Sequence, residues 1–206
     1  MHQLQQFAVQ HGKKITIKNS KTIFQVGDQP SHFYFLESGY VKMFYEGENG
    51  QTTTLSLFKP GDFFGMAELF SRKAFHEYSA TGLGEITFYA VSLEQLYSHL
   101  TADSPLWPAV TQVFAHKIIN AHRLIMKFTN LSVPERLAAF LQQYAVTNDE
   151  GLLVVDIPLS HEEISYIINC SRQKVTTYLN LWRKQGFIAY ERGIIQITQP
   201  DALFHS

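Results

Sequence analysis

Arg172, Gln173 and Lys174 bring a forked guanidinium, a side-chain amide and an ammonium into three consecutive positions directly behind Ser171. On the first turn of a helix, such groups can hydrogen-bond base edges and pair with phosphate oxygens. The flanking residues predict that helix and another before it. Ser160 and Glu163 have the spacing of a capping box, which starts a helix by satisfying its own free amides. Ile164, Ile167 and Ile168 give this helix one apolar stripe. Asn169 falls where the turn needs a left-handed residue, a conformation Asn tolerates better than most. Ser171 caps the second helix, whose apolar face is Val175, Tyr178, Leu179 and Trp182. The plainer alternative is a helix hairpin in an ordinary bundle.

The chain has 206 residues, enough for two small domains with a core each. It is 45% apolar and 17% charged, which describes a globular protein. No apolar run approaches the roughly 18 residues of a membrane span, and the N-terminus lacks the order of a signal peptide. A cytoplasmic protein without a membrane partner is expected. The net charge of −1 does not by itself favour nucleic acid. Its distribution does: Arg172, Lys174, Arg183, Lys184 and Arg192 fall in one short segment with only Glu191 against them. The single cysteine, Cys170, excludes intrachain disulfides, a cysteine-only zinc site and an iron–sulfur cluster on the chain's own thiolates. It reads as a small packed residue rather than a redox sensor.

From about Lys13 to Ser92 the chain runs in short apolar or alternating stretches: 15–17, 22–24, 33–36, 40–45, 52–58 and 86–91. Turn signals separate them at Gly27-Asp28, Ser38-Gly39, residues 47–50 and residues 59–62. Short strands at such spacing predict an antiparallel barrel or jelly roll within an α+β chain. Its many aromatics suit a core and could equally line a ligand cavity. Ser92 and Gln95 open a short helix to about Leu100, and Pro105 and Pro108 set up a longer one to about Phe128. Along the long helix, Phe114, Ile118, Ala121, Ile125 and Phe128 are spaced four, three, four and three apart, a heptad seam suited to pairing two copies. The alternative is packing on the barrel. A second stripe, Ala115, Ile119, His122 and Met126, is expected to face the barrel while the first faces a partner.

Residues 129–131 read as a hinge. Ser132 and Glu135 form another capping box with Pro134 inside it, predicting a helix through Ala145. A strand over 152–157 leads into the helix pair, and residues 188–190 and 194–197 form a closing hairpin around Arg192-Gly193. The expected organisation is a sensory barrel over 1–104, a dimerisation helix and hinge over 105–131, and a winged helix-turn-helix over 132–206.

In this order the pieces resemble the Crp/Fnr group of bacterial transcription regulators over nearly the whole chain. The resemblance is carried by Gly27, Gly39, Gly61 and Gly65, by the turn Pro60-Gly61-Asp62-Phe63-Phe64-Gly65, by Pro134-Glu135-Arg136-Leu137-Ala138-Ala139-Phe140, and by Asn169-Cys170-Ser171-Arg172. It implies a homodimer on double-stranded DNA, with Arg172 holding guanine O6 and N7. Gln173 stands where a Glu usually reads cytosine, so it should prefer another partner, such as adenine. Thr177 stands where relatives often have a second Arg, implying shorter reach or contact with a thymine methyl. Ser160, His161, Ser171 and Lys174 match phosphate-contact positions. The two recognition helices of a dimer would lie about 34 Å apart, on an inverted repeat. The resemblance also implies contact with RNA polymerase through residues 147–151 or 46–51.

The effector pocket departs from the family's pattern. A Gly-Glu-Leu turn and an Arg-Ser-Ala segment hold ribose and phosphate in cyclic-nucleotide-binding relatives. Here Gly65 is followed by Met66-Ala67-Glu68-Leu69, and Tyr78-Ser79-Ala80 replaces Arg-Ser-Ala. Tyrosine offers neither the charge nor the fork of arginine, so cyclic AMP is not expected. Gly65, Glu68, Tyr78, Ser79, Asn120 and Arg123 are the candidate contacts for another small molecule, unless the barrel's own aromatics fill the space. Haem through His76 is a weaker alternative, since one imidazole specifies nothing. No paired-His metal motif, nucleophile elbow, P-loop or paired-carboxylate signature suggests an enzyme, so no catalytic residue, metal or cofactor is assigned. The rival reading is a small-molecule sensor without specific DNA binding.

Overall fold

The computed structural model describes residues 2–48, 50, 52–101, 103–191 and 194–204, residue 191 through its backbone alone. The chain divides into two compact units, Met1–Ala121 and His122–Ser206.

The first unit contains α1 (His2–His11), β1 (Lys13–Ile17), β2 (Thr22–Phe24), β3 (His32–Glu46), β4 (Thr52–Phe58), β5 (Phe63–Phe64), α2 (Met66–Phe70), β6 (Ser79–Ser92), α3 (Leu93–Tyr97) and most of α4 (Leu106–Asn130). The sheet is antiparallel in the order β1-β6-β3-β4, with β2 added on β6 and β5 on β3. Two expected strands are one: β3 runs straight through Ser38-Gly39, which is an irregularity in its pairing with β6 rather than a turn. Gly39 makes this possible at φ 78°, where a Cβ would collide with the Glu85 carbonyl oxygen. Strand β6 likewise begins at Ser79, seven residues before the apolar run that announced it.

Both faces of β3 and β6 are buried, which is why residues 33–36 are apolar without a break. Phe33, Phe35, Tyr89 and Val91 pack with Leu4 and Phe7 of α1, Phe63, and Leu106, Val110 and Val113 of α4. Tyr34, Leu36, Phe88 and Ala90 face the other way, into a core with Phe24, Phe58, Phe64 and Ile86. The rings there stack closely, Tyr34 to Phe64 at 4.8 Å and Phe58 to Phe64 at 5.5 Å. Helix α4 therefore meets the barrel through Leu106, Ala109, Val110 and Val113. Ala115, Ile119, His122 and Met126 do not perform that role; all four are exposed. In the seam, Ile118 and Ile125 are 57% and 59% exposed, Ala121 is exposed, and Phe114 and Phe128 are half-buried. Phe114 leans on Phe70, its ring 5.4 Å away.

The second unit takes the end of α4 and adds α5 (Val133–Tyr144), β7 (Val146–Thr147), β8 (Leu153–Val155), α6 (His161–Ile168), α7 (Arg172–Lys184), β9 (Ile188–Glu191), β10 (Ile194–Ile197) and α8 (Pro200–Phe204). Its sheet is antiparallel in the order β7-β8-β10-β9. The core joins Leu137, Phe140 and Leu141 of α5, Ile164 and Ile168 of α6, Val175, Leu179 and Trp182 of α7, and Ile195 and Ile197 of β10. The anticipated wing turn at Arg192-Gly193 lies outside the described residues. No helix among the described residues is long and apolar enough to cross a membrane.

Candidate functional site

The helix pair forms as its local chemistry dictates. Ser160 Oγ accepts from the Glu163 amide, and Glu163 Oε2 accepts from the Ser160 amide at 2.9 Å, closing the capping box that starts α6. Asn169 ends α6 in the left-handed conformation at φ 52°. Ser171 Oγ accepts from the Lys174 amide and opens α7. Val175, Leu179 and Trp182 are buried beneath, leaving Arg172, Gln173, Lys174 and Thr177 exposed on the same helix. Thr177 Oγ1 donates to the Gln173 carbonyl at 2.8 Å, so its hydroxyl proton is used within the helix. Ser160 and Ser171 are exposed at the two helix starts, where free backbone amides and the positive dipole end favour anions. Arg183 and Lys184 are exposed in the last turn of α7; Arg192 is outside the described residues.

His161 is placed differently from its neighbours. It is half-buried, and both ring nitrogens are engaged: Nδ1 shares a 2.9 Å hydrogen bond with Thr176 Oγ1 of α7, and Nε2 shares one of 3.3 Å with the Tyr190 hydroxyl of β9. It thus brackets both helices and the wing strand. Burial, then the nearby Arg172 charge, pushes its pKa below the usual histidine value. Burial pushes the Tyr190 hydroxyl up to about 12, against a smaller opposing pull from Arg183. Burial also raises the half-buried Cys170 thiol, the opposite of what a reactive thiolate requires.

In the barrel unit, Gly65 adopts φ 70° at the start of α2, where a Cβ would lie 2.9 Å from the Tyr34 ring. Glu68, three residues on, is 5% exposed. Its Oε1 lies 3.7 Å from Nδ1 of the equally buried His76, and neither atom has a hydrogen-bond partner among the described residues. The His76 ring stacks on Phe24 at 3.9 Å. Lys117 of α4 sits over the Phe58 ring at 4.7 Å. Burial pulls its ammonium pKa down to about 8, against the opposing pull of Asp62 and Glu68. Asp62 is itself raised by burial, while its carboxylate accepts from the Lys59 amide at 2.9 Å.

Of the pocket residues expected from sequence, Ser79 is half-buried and accepts from the Val26 amide at 3.2 Å, and Tyr78 is half-buried. Asn120 and Arg123 are exposed on α4, and Arg123 belongs to the second unit. Sequence reasoning missed Lys117 and Asp62. Lys117 falls seven residues after the buried Val110 and four after the buried Val113, a helical spacing that could have revealed its inward face. Among the described residues no cluster of three or more His, Cys, Asp or Glu side chains could hold a metal ion.

These features are those of a cyclic-nucleotide-binding fold followed by a helix-turn-helix. The family described as cyclic nucleotide-binding domain matches residues 14–103, and that described as Crp-like helix-turn-helix domain matches residues 135–205. The chain is similar to the global nitrogen regulator of Synechococcus elongatus, 26% identical over 191 residues that cover 90% of this chain and 86% of that protein. It is 25% identical over 185 residues to the CRP-like cAMP-activated global transcriptional regulator of Mycobacterium tuberculosis, covering 88% and 82% of the two. Its fold is shared with FixK2 from Bradyrhizobium japonicum, with a TM-score of 0.82 at 16% identity over 94% of this chain and 96% of that one. It is also shared with the c-di-GMP responsive global regulator CLP of Xanthomonas campestris, with a TM-score of 0.75 at 17% identity over 96% and 99%. The chain belongs to the Crp/Fnr family and is a DNA-binding transcription regulator of that type, not an enzyme.

Proposed function

We propose that the protein works as a homodimer that reads an inverted-repeat operator through α7 and responds to an effector other than a cyclic nucleotide. In this reading residues 1–104 sense, 105–131 dimerise and hinge, and 132–206 bind DNA. The observation that carries it is the first turn of α7: a capped helix start with Arg172, Gln173 and Lys174 all exposed above a buried face. Arg172 reads guanine, Gln173 adenine, and Thr177 offers its methyl to thymine. Ser160, Ser171 and Lys174 hold phosphates and set the register, and His161 supports them from its bracket.

Dimerisation through Phe114, Ile118, Ala121, Ile125 and Phe128 is supported by the exposure of Ile118 and Ile125, which a monomer would leave in water. Against a cyclic nucleotide stand Tyr78 in place of the phosphate-binding arginine and an inward cation, Lys117, already facing Asp62 and Glu68. The fold itself accommodates more than one ligand, since its relatives include one described as cAMP-activated and one as c-di-GMP responsive. An effector acting near α4 would change the fraction of dimers able to span both half-sites. RNA polymerase would meet residues 147–151 or 46–51, of which 49 and 51 lie outside the described residues.

Selection of binding sites from random duplexes, with sedimentation of the same protein, tests this reading. The expected result is a dimer, an inverted repeat with half-sites one helical turn apart, and no saturable fluorescence change with cyclic AMP. A strictly monomeric protein indifferent to duplex sequence would overturn it. The double variant Ile118→Glu/Ile125→Glu should shift the protein to monomer and abolish operator preference together.

A further inference from the structure

We infer that Arg136 fixes the start of the recognition helix against the end of α4, and that operator discrimination depends on the bridge it makes. The inference rests on the DNA-binding reading above. Arg136 is the fourth residue of α5, where a cation opposes the dipole of its own helix. The reason for a positive charge must lie elsewhere, and it lies at the ends of two other helices.

Nη1 of Arg136 donates to the Leu131 carbonyl at 3.1 Å and to the Phe128 carbonyl at 3.5 Å. Nη2 donates to the Asn169 carbonyl at 3.1 Å. Phe128 is in the last turn of α4, Leu131 follows that helix directly, and Asn169 is the cap of α6. Carbonyls at a helix C-terminus lack an intrahelical donor and carry the negative end of its dipole. One guanidinium therefore satisfies the orphan acceptors of two helix ends, and its planar fork reaches both at once. The group lies 5.9 Å from the Phe128 ring centre, which restricts it further. Its Nε is buried without a hydrogen-bond partner among the described residues, so its bonding to these ends runs through the two terminal nitrogens.

The consequence is positional. Asn169 is three residues before Arg172, and the Cys170 amide between them is tied back to the Ser165 carbonyl at 3.0 Å. A displacement of the end of α4 is thereby passed to the turn that aims the first residues of α7. Arg136 touches no base in this account; it is a positioning residue.

The test uses the full-length protein, a selected inverted-repeat duplex, the same duplex with one base pair inserted between half-sites, and a non-specific duplex. Wild type should bind the inserted duplex about tenfold or more weakly than the selected one, the scale of a mismatched site. Arg136→Met keeps the stem and loses the fork, so the spacing penalty should shrink to about threefold or less. Non-specific affinity and its salt slope should stay unchanged, because no phosphate contact is removed; a merely destabilised protein would not separate these readouts. Arg136→Lys should recover part of the penalty. If Arg136→Met does not fold, Arg136→Gln, which can reach one helix end but not both, takes its place in the same assay. A wild-type penalty in either replacement overturns the assignment. Lack of operator preference in the wild type would instead overturn the DNA-binding reading beneath it, so the two failures are distinguishable.

Discussion

The two units of this chain handle charge in opposite directions. Around α7, Arg172, Lys174, Arg183 and Lys184 stand in solvent, while the buried face of the helix is wholly apolar or aromatic. In the barrel unit, Glu68 and His76 are buried, and the half-buried Lys117 of α4 lies within electrostatic reach of Glu68 and of Asp62 in the turn after β4. Solvated cations cost the folded chain little and gain when a polyanion displaces their counterions. Buried ions cost desolvation each time the chain folds, and apolar groups of the same volume would stabilise a barrel as well or better. The outward set is explained by a macromolecular partner. The inward set is not explained by stability alone.

The largest expected effect is one that would break this contrast at its apolar base. Phe64 is fully buried and stacks with Tyr34 and Phe58. Phe64→Ala should cost the barrel unit about 3–5 kcal/mol, read as a shift of its unfolding midpoint in urea. A cost under about 1 kcal/mol, the level of a volume-conserving swap, would mean that these rings line an adaptable cavity rather than a packed core.

Next in size is the inward cation. The Lys117 pKa of about 8 lies below its ordinary value, so the folded chain binds fewer protons than the unfolded chain between pH 8 and 10.5. Stability should therefore rise with pH across that window, by on the order of 2–3 kcal/mol relative to Lys117→Met, which has no ammonium to discharge. Parallel pH profiles for the two proteins would show that the ammonium is solvated.

The contrast also decides what the sequence could reveal. Capping boxes, the left-handed Asn169 and the apolar stripe of α7 are local signals within one or two turns, and the helix pair follows from them with little help from elsewhere. Strand β3 does not, because whether Ser38-Gly39 turns or continues depends on Glu85 and Ile86 of a strand nearly fifty residues away. The seam on α4 was visible as a periodicity, but which stripe meets the barrel is settled by Leu106, Val110 and Val113, near the start of the helix. Inward groups such as Lys117 are harder to see, since only its spacing from Val110 and Val113 sets this lysine apart from a solvated one. Arg136 carries no local signal of its role; its three carbonyl acceptors come from residues 128, 131 and 169, and only the fold brings them together.

The outward set makes a smaller and differently shaped prediction. Arg172→Ala should relax discrimination at one base pair in each half-site, by about 1–3 kcal/mol per contact, with little change at the other positions. Lys174→Ala should weaken binding to all duplexes and lower the salt slope by about one per subunit. An Arg172→Ala protein with an unchanged sequence preference would remove its base-reading role.

The smallest effect lies where the contrast blurs, at His161, an inward residue of the outward-facing unit. Its pKa is pushed below 6.5 by burial and by Arg172, so the folded form favours the neutral ring that bonds Thr176 and Tyr190. The unfolded chain then binds more protons near that pH. The contribution is complete above the ordinary histidine pKa and is lost as pH falls through the folded value. His161→Gln removes the titrating ring, so the variant should lack this loss below about pH 6.5, a small difference for so partly buried a group. Bound DNA opposes the trend, since phosphates favour the charged ring. The wild-type protein should therefore lose less stability on acidification with operator than without it, whereas His161→Gln should show no such difference. An equal response of both proteins would mean that the bracket is held by Tyr190 and Thr176 without regard to the charge of His161.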